Sequence, residues 1–129
     1  LYNWYAVNDP RGLAPLGWHI PTQREWRILI AFLGGGKTSG GKLKEAGTVH
    51  WIPPNVGADN TSGFTALPAG YRLYNGMFSF LNVRNYLWSA TEYSSTNAWE
   101  RFLQYDEIYF GETYSNKQDG FSVRCVKDK

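Results

Sequence analysis

The sequence has a single cysteine, Cys125, and only two histidines in 129 residues. One cysteine cannot form an internal disulfide, and a Cys-based zinc cluster needs several thiolates, so neither cross-link is available to this chain. Long apolar runs are also missing, since no stretch approaches the ~18 consecutive apolar residues of a membrane span. We therefore expect one soluble domain over 1–129, with no membrane insertion, no metal and no cofactor. The sequence opens on LYNWY, which is typical of the interior of a domain, so we expect the domain to be excerpted from a longer protein.

A strong excess of basic charge is absent as well. Lys and Arg number 13 against 11 Asp and Glu, which gives a formal net charge of +2. The basic residues form no cluster, and the segment 85–124 is locally acidic and therefore repels phosphates. We expect no nucleic-acid partner.

Aromatic and glycine residues, in contrast, are plentiful. The chain is 17% aromatic and 43% apolar, with 14 glycines. So many rings are incompatible with a disordered segment, and at this length one core is expected to bury roughly two thirds of the surface of the unfolded chain. The glycines, together with Asn, Ser and Pro, predict a loop-rich fold with little helix.

The segment 22–33 predicts a helix near the N-terminus. Thr22 can cap it, and Glu25, three residues later, can complete a capping box. Apolar residues follow at helical spacing: Trp26, Leu29, Ile30 and Leu33. We interpret the glycines at 34–36 as the end of this helix; the following Lys-Thr lacks the spacing of a phosphate-binding loop. A second, shorter helix is predicted over 42–46.

From residue 64 onward the apolar period changes to two, which predicts strands. We place these strands near 64–67, 70–73, 86–91, 98–104, 107–110 and 120–126. Asn75-Gly76 predicts a hairpin turn. The fold class expected is α+β, with two N-terminal helices packed on a twisted antiparallel sheet with many loops.

The segment 99–114 combines rings with acidic and amide side chains to an unusual degree. Such a composition is typical of recognition surfaces, in which rings supply contact area and polar groups supply direction. The alternative is a strand buried on both faces. The predicted ligand-binding residues are Tyr86, Leu87, Glu100, Phe102, Gln104, Tyr105, Asp106, Glu107, Tyr109, Phe110, Glu112 and Tyr114.

Catalytic chemistry has weaker support in the sequence. His19 and His50 lack a partner at metal-ligand spacing, and Cys125 alternates with Phe121 and Val123 as a small buried residue would. Asp106, Glu107 and Glu112 could supply a carboxylate pair for acid–base chemistry, but we favour a solvated edge for them. An enzyme using this acidic cluster and a structural or assembly module remain as alternatives to ligand recognition.

Six ordered motifs resemble one known family. They are LYNWYAV (1–7), GWHIPT (17–22), GKLKE (41–45), GFTALPAGYR (63–72), WSATE (88–92) and GFSVRCV (120–126). The chain resembles the Fibrobacter succinogenes major paralogous domain over nearly its whole length. The resemblance implies a C-type-lectin-like fold of the variety shared with formylglycine-generating enzymes. It also implies an extracellular or cell-surface setting in bacteria or phage, with a protein or glycan on another cell or surface as ligand.

The resemblance implies no catalytic residues. Formylglycine-generating enzymes use a pair of cysteines, whereas this chain has one, and the Glu-Pro-Asn, Gln-Pro-Asp and Trp-Asn-Asp motifs of calcium-dependent lectins do not occur. Similar domains are the variable proteins of diversity-generating retroelements. These elements rewrite adenines in the DNA that encodes the C-terminal part of a lectin-like domain and so create new binding specificities. Rewriting of Asn codons can yield the residues at 105, 106, 109, 110 and 114, but not the Glu and Gln at 100, 104, 107, 112 and 118. The retroelement hypothesis therefore stays open.

Overall fold

A computed structural model describes all residues from 1 to 129. In chain order its elements are α1 (Trp4–Val7), β1 (Trp18–His19), α2 (Gln23–Phe32), α3 (Gly36–Leu43), β2 (Tyr71–Arg72), β3 (Phe78–Ser79), β4 (Arg84–Glu92), β5 (Asn97–Gln104), β6 (Gly111–Asn116) and β7 (Val126–Lys127). Long loops separate most of them. No helix combines the length and the apolar character that crossing a membrane requires.

The strands form three separate antiparallel sheets. β4, β5 and β6 form the largest sheet in that order, while β1 pairs with β7 and β2 pairs with β3. The hairpin turn predicted at Asn75-Gly76 connects β2 and β3 and is confirmed. The predicted α+β class is confirmed at this level, with few helices and several antiparallel sheets.

Helix α2 forms where the sequence predicts it, because its start signal is local. The Thr22 hydroxyl accepts a hydrogen bond from the Glu25 amide at 3.2 Å, and the Thr22 amide donates to the Glu25 carboxylate at 2.9 Å. These reciprocal bonds satisfy two amides that the first helical turn leaves free. The helix then buries Trp26 and Ile30 against the large sheet.

Helix α3 lies N-terminal to the short helix predicted from the sequence. The glycines end α2, but a new helix begins at Gly36 and ends at Leu43, so the helix predicted over 42–46 is wrong. Glycine is a poor helix former, yet here its small size is required. A Cβ atom at Gly40 would lie 2.7 Å from the Ile108 carbonyl oxygen and would also clash with the Tyr109 carbonyl. The helix therefore packs directly on the backbone of the loop at 108–109.

The predicted strands are confirmed in part. β4 and β5 match 86–91 and 98–104, and β2 falls within 70–73. The strand predicted over 107–110 is wrong, because the Phe110 amide donates to the Gly36 carbonyl at 2.8 Å and ties this stretch to α3 as a loop. β6 follows instead, and the segments predicted at 64–67 and 120–126 pair mainly through isolated bridges.

Two hydrophobic cores lie on opposite faces of the large sheet. β5 is the central strand, and its alternating side chains contribute to both faces. The core under α2 contains Trp26, Ile30, Leu33, Leu43, Trp51, Ala66, Leu87, Leu103 and Phe110. The core on the other face contains Trp4, Val7, Ile20, Trp88, Ala98 and Phe121. The alternative of a strand buried on both faces is thus the one that holds for β5.

Candidate functional site

Three of the predicted ligand-binding residues are buried, so the prediction that they are presented at the surface is wrong. Leu87 is 2% exposed, Glu100 1% and Phe110 3%. Leu87 belongs to the core under α2, and the Phe110 ring packs edge-on against Trp26 with 5.6 Å between centroids. Glu100 lies on the central strand, where both neighbouring strands and a core cover it.

Glu100 has an unusual environment for a carboxyl group. One of its oxygens accepts a hydrogen bond from the Ser115 hydroxyl at 3.4 Å, while Oε2 is buried without a partner. Burial raises the pKa of Glu100 to about 8, which Ser115 and the positive charge of Arg101 only partly oppose. At neutral pH the side chain is therefore mainly protonated and acts as a buried polar group.

The rings of Tyr86, Phe102 and Tyr109 are half-buried and pack against one another. Phe102 lies 6.4 Å from Tyr86 and 5.5 Å from Tyr109 between ring centroids. Arg84 donates to the Tyr86 hydroxyl at 3.0 Å, and the Phe102 ring covers Gly111 on β6 so closely that a Cβ there would clash. These predicted residues are brought together, and each has a packing role.

The acidic residues Asp106 and Glu107 are exposed on the loop after β5, as predicted, and Tyr105 and Gln104 are half-buried beside them. Gln104 donates to the Asp106 carboxylate at 3.1 Å. A buried cation beneath this loop, the side chain of Lys44, holds the main chain in place. The loop therefore presents its carboxylates from a fixed backbone.

Lys44 is fully buried and was not identified from the sequence. Its ammonium group donates to the carbonyls of Val56, Gln104 and Glu107 at 2.9, 3.0 and 2.9 Å, and it lies 5.5 Å from the Trp51 ring centroid. Burial lowers the pKa of Lys44 to about 8, against the attraction of the nearby carboxylates. Only the tertiary arrangement of three loops shows this role, because nothing near Lys44 in the sequence indicates it.

An aromatic cluster of Tyr93, Trp99 and Tyr114 lies on the face of the sheet that also packs on α2. The two tyrosine rings stack in parallel with 3.8 Å between centroids, and Trp99 meets each of them edge-on at 5.1 and 6.0 Å. Tyr93 is 46% exposed and Tyr114 45%. Tyr114 was among the predicted residues. Trp99 and Tyr93 were not predicted. The structure adds them because Trp99 is the cross-strand partner of Tyr114 and Tyr93 stacks on the Tyr114 ring.

A cavity of about 600 Å³ lies next to this cluster, between α2, the start of α3 and β6. Its lining residues are Arg27, Ile30, Ala31, Gly35, Gly36, Lys37, Arg101, Tyr109, Phe110, Gly111 and Glu112. Three predicted residues, Tyr109, Phe110 and Glu112, are therefore brought together here. The basic residues of the lining were not predicted.

Ion pairs shape the electrostatics of the cavity. Glu112 contacts Arg27 at 2.7 Å and Arg101 at 2.8 Å. Burial works to raise the pKa of Glu112, but the hydrogen bond from Arg27 and the charge of Arg101 outweigh it, so its pKa lies below the ordinary value. With Lys37 the lining carries three basic side chains and one acidic one. This part of the predicted acidic surface is in fact basic.

The remaining candidates for chemistry lie apart from this region. His19 bridges Asp128 and Glu25 at 2.6 and 2.7 Å, and these hydrogen bonds raise its pKa. Burial raises the pKa of the half-buried Cys125 thiol, which disfavours the nucleophilic thiolate. No group of three or more His, Cys, Asp or Glu side chains comes together in a way that could hold a metal ion.

The fold places the chain in the class of small α+β domains in which one antiparallel sheet separates two cores. Within that class the model of the Fibrobacter succinogenes major domain matches residues 1–127, and the chain belongs to this family. The resemblance carried by the six motifs is thereby confirmed. Comparisons with curated proteins and with solved structures gave no match.

Proposed function

We propose that the chain is a non-enzymatic ligand-recognition domain whose contact surface is centred on the aromatic cluster. The observation that carries this proposal is the stacked pair of Tyr93, which follows β4, and Tyr114, on the edge strand β6, each close to half exposed. Tyrosine and tryptophan are enriched among the residues that dominate binding energies. Covering such rings stabilises a complex by about 25 cal/mol per Å² of apolar area before the costs of association.

The rings of the cluster are packed on one another and on the sheet, which favours recognition. Tyr93 and Tyr114 stack within 5° of parallel, and Trp99 stands nearly perpendicular to both. Trp99 and Tyr114 are direct cross-strand partners on β5 and β6, so the sheet fixes their separation. A ligand therefore loses less free energy in ordering these side chains than it would on a mobile loop.

The family supports the remaining parts of the proposal. We propose a C-type-lectin-like arrangement, related to that of formylglycine-generating enzymes, in a bacterial or phage protein at the cell surface or outside the cell. Its ligand would be a protein or glycan on another cell or surface. Retroelement diversification of the segment 86–119 belongs to the same proposal, and a near-copy of its DNA nearby that differs at adenines would support it.

Alanine variants of the cluster test the proposed surface. Tyr114→Ala and Tyr93→Ala should weaken binding to ligands found by glycan-array and cell-binding screens, while the melting temperature stays close to that of the wild type. Tyr5→Ala is the matched control, because Tyr5 is also exposed but lies on α1 outside the cluster. Unchanged binding in the cluster variants, or an equal loss in the control, would contradict the proposal.

A second candidate function is a structural or assembly module of a surface appendage or phage tip. The observation that favours it is the β2–β3 hairpin and the residues after it, which expose Tyr74, Met77, Phe78 and Leu81. Phe78 alone is 71% exposed. If this patch mediates assembly, sedimentation velocity should show an oligomer that Phe78→Ser dissociates, whereas Phe32→Ser, at another exposed ring on α2, leaves it intact. A monomer at all concentrations would remove this candidate.

A further inference from the structure

We propose that the cavity between α2 and α3 binds an anionic group of the ligand, a carboxylate or a sulfate, through Arg101 and the start of α3. The inference rests on the proposed recognition function and names the chemistry of one part of its ligand. The segment 85–124, which contributes Arg101 and Glu112 to this cavity, is locally acidic in sequence, whereas the cavity lining is mainly basic. Three observations support the inference: an unpartnered buried guanidinium N–H, free helix amides and the charge of the cavity lining.

The first observation concerns the guanidinium group of Arg101. The side chain is 3% exposed and lines the cavity, yet its Nε has no hydrogen-bond partner. Nη2 lies 2.8 Å from a Glu112 oxygen, but without the alignment of a hydrogen bond. A buried charged donor without an acceptor is unfavourable, so native proteins nearly always supply one. An oxyanion in the cavity would provide the missing acceptor.

The second observation concerns the N-terminus of α3, an eight-residue helix. The amides of Gly36 and Lys37 make no hydrogen bond within the chain, and Gly35 at the cap position has no side chain to accept from them. Free amides and the helix dipole together favour a negative group at such an end. Gly35, Gly36 and Lys37 all line the same cavity as Arg101. Both sets of donors are therefore available to one ligand.

The third observation is the balance of charge. Arg27, Lys37 and Arg101 line the cavity against the single carboxylate of Glu112, which leaves an excess of positive charge. Glu112 contacts both arginines and holds their side chains in place. Arg101 remains charged because a guanidinium group is not deprotonated in proteins. The cavity, at about 600 Å³, is large enough for an acidic sugar unit as well as a simple ion.

The structural setting of the glycine run before α3 argues against a nucleotide phosphate as the anion. A glycine turn before a helix that carries Lys37 is one part of a nucleotide phosphate site, but here α2, and not a strand, precedes the turn. The donors around the cavity, which are the amides of Gly36 and Lys37 and the guanidinium group of Arg101, suffice for one small oxyanion group. The aromatic cluster on the same face of the sheet would contact the apolar remainder of the ligand.

Titration with sodium sulfate and with sodium glucuronate, followed by amide NMR at constant ionic strength, tests the inference. We expect saturable shifts at 35–38 and at the Arg101 side-chain N–H, and no saturable shift with neutral glucose. Arg101→Gln should weaken anion binding by about tenfold or more, since it removes a charge-assisted contact. Lys37→Gln and Arg27→Gln, at two exposed side chains of the lining, should each weaken sulfate binding several-fold. These two variants test the site independently if Arg101→Gln does not fold.

Arg24→Gln is the matched control for Arg27→Gln. Arg24 is exposed and lies on α2 like Arg27, but it lines a different cavity. It should leave the affinity for sulfate unchanged. An equal loss in this control, or shifts that do not saturate, would overturn the anion site. The two proposals can fail separately. Sulfate binding without any ligand dependent on Tyr114 contradicts the recognition surface alone, and ligand binding through Tyr114 without sulfate binding contradicts the anion site alone.

Discussion

Replacement of Glu100 by glutamine should make the protein more stable at neutral pH. The carboxyl group is buried on the central strand, accepts a hydrogen bond from Ser115 and leaves Oε2 without a partner. Glutamine has nearly the same shape and can keep the acceptor for Ser115, but it never ionises. The substitution therefore removes the cost of holding this group in its neutral form at pH 7.

The magnitude follows from the pKa of Glu100. The ordinary value is 4.5, whereas the folded protein raises it to about 8. The folded state therefore keeps a proton that the unfolded state releases between these values, so stability is greatest below 4.5 and falls as pH rises towards about 8. At pH 7 the difference from 4.5 is about 2.5 pH units, which at about 1.4 kcal/mol each corresponds to about 3 kcal/mol.

Urea denaturation of both proteins between pH 4.5 and 8 measures this effect. The two should be similarly stable at the acid end, and Glu100→Gln should be more stable by about 3 kcal/mol at pH 7. Glu107→Gln provides the control, since it makes the same charge change on an exposed side chain. If stability depends on pH equally in wild type and Glu100→Gln, then Glu100 is ionised in the folded protein and the reasoning is wrong.

Three further substitutions test other features of the structure. Gly40→Ala should lower the free energy of unfolding by more than about 2 kcal/mol in thermal denaturation, although alanine is the better helix former by about 1 kcal/mol. Gly36→Ala is the control and should cause no such loss, because a Cβ atom has room at Gly36. Lys44→Met removes the ammonium donor from the carbonyls of Val56 and Glu107, which have no other donor, and from that of Gln104, which keeps the Glu107 amide at 3.4 Å. It should cost at least about 2 kcal/mol, with faster hydrogen exchange over 104–107, and unchanged exchange would contradict the role given to Lys44. NMR titration should show the pKa of His19 above 6.5, and Asp128→Asn should lower it, because Asp128 is the main cause of the shift; no change would contradict this assignment.

Local signals predicted the parts of the fold that depend on neighbours in the chain. The capping box of α2 and the alternation in β4 and β5 lie within a few residues of the structure they specify. α3 escaped prediction because Gly40 is required by its close packing on the backbone at 108–109, about 70 positions away, and not by helix propensity. β6, with the sequence GETYSN, has few β-branched or aromatic residues and pairs because β5 offers a free edge.

The candidate site shows the same division. The sequence shows that 99–114 is rich in rings, but it does not show which rings are exposed. That depends on which of two neighbours, Tyr109 or Phe110, faces Trp26, and the structure places Phe110 there. Phe110 is buried in the core, while Tyr109 borders the cavity. Tertiary packing, and not composition, decides which of two adjacent aromatic residues a ligand can contact.

The sign of the charge at the site depends on a contact that spans the chain. Glu112 lies in a locally acidic segment, but its carboxylate contacts Arg27, 85 positions earlier, as well as Arg101 across the strand pair. Once Glu112 is paired, the basic side chains around the cavity outnumber it. A charge count along the sequence therefore indicates an acidic surface, whereas the lining of the folded cavity is mainly basic.

The register of β5 and β6 connects the two parts of the proposed surface. Trp99 pairs with Tyr114 and Arg101 pairs with Glu112, so the aromatic pair and the charged pair are successive on one face of the sheet. Residues two apart on a strand are separated by about 7 Å, which is close to the length of one sugar ring with its substituents. If both proposals hold, a single acidic sugar unit would stack on the rings while its anionic group contacts Arg101. A neutral sugar would use only the rings, and a bare anion only the cavity, so ligands that combine both features should bind more tightly than either.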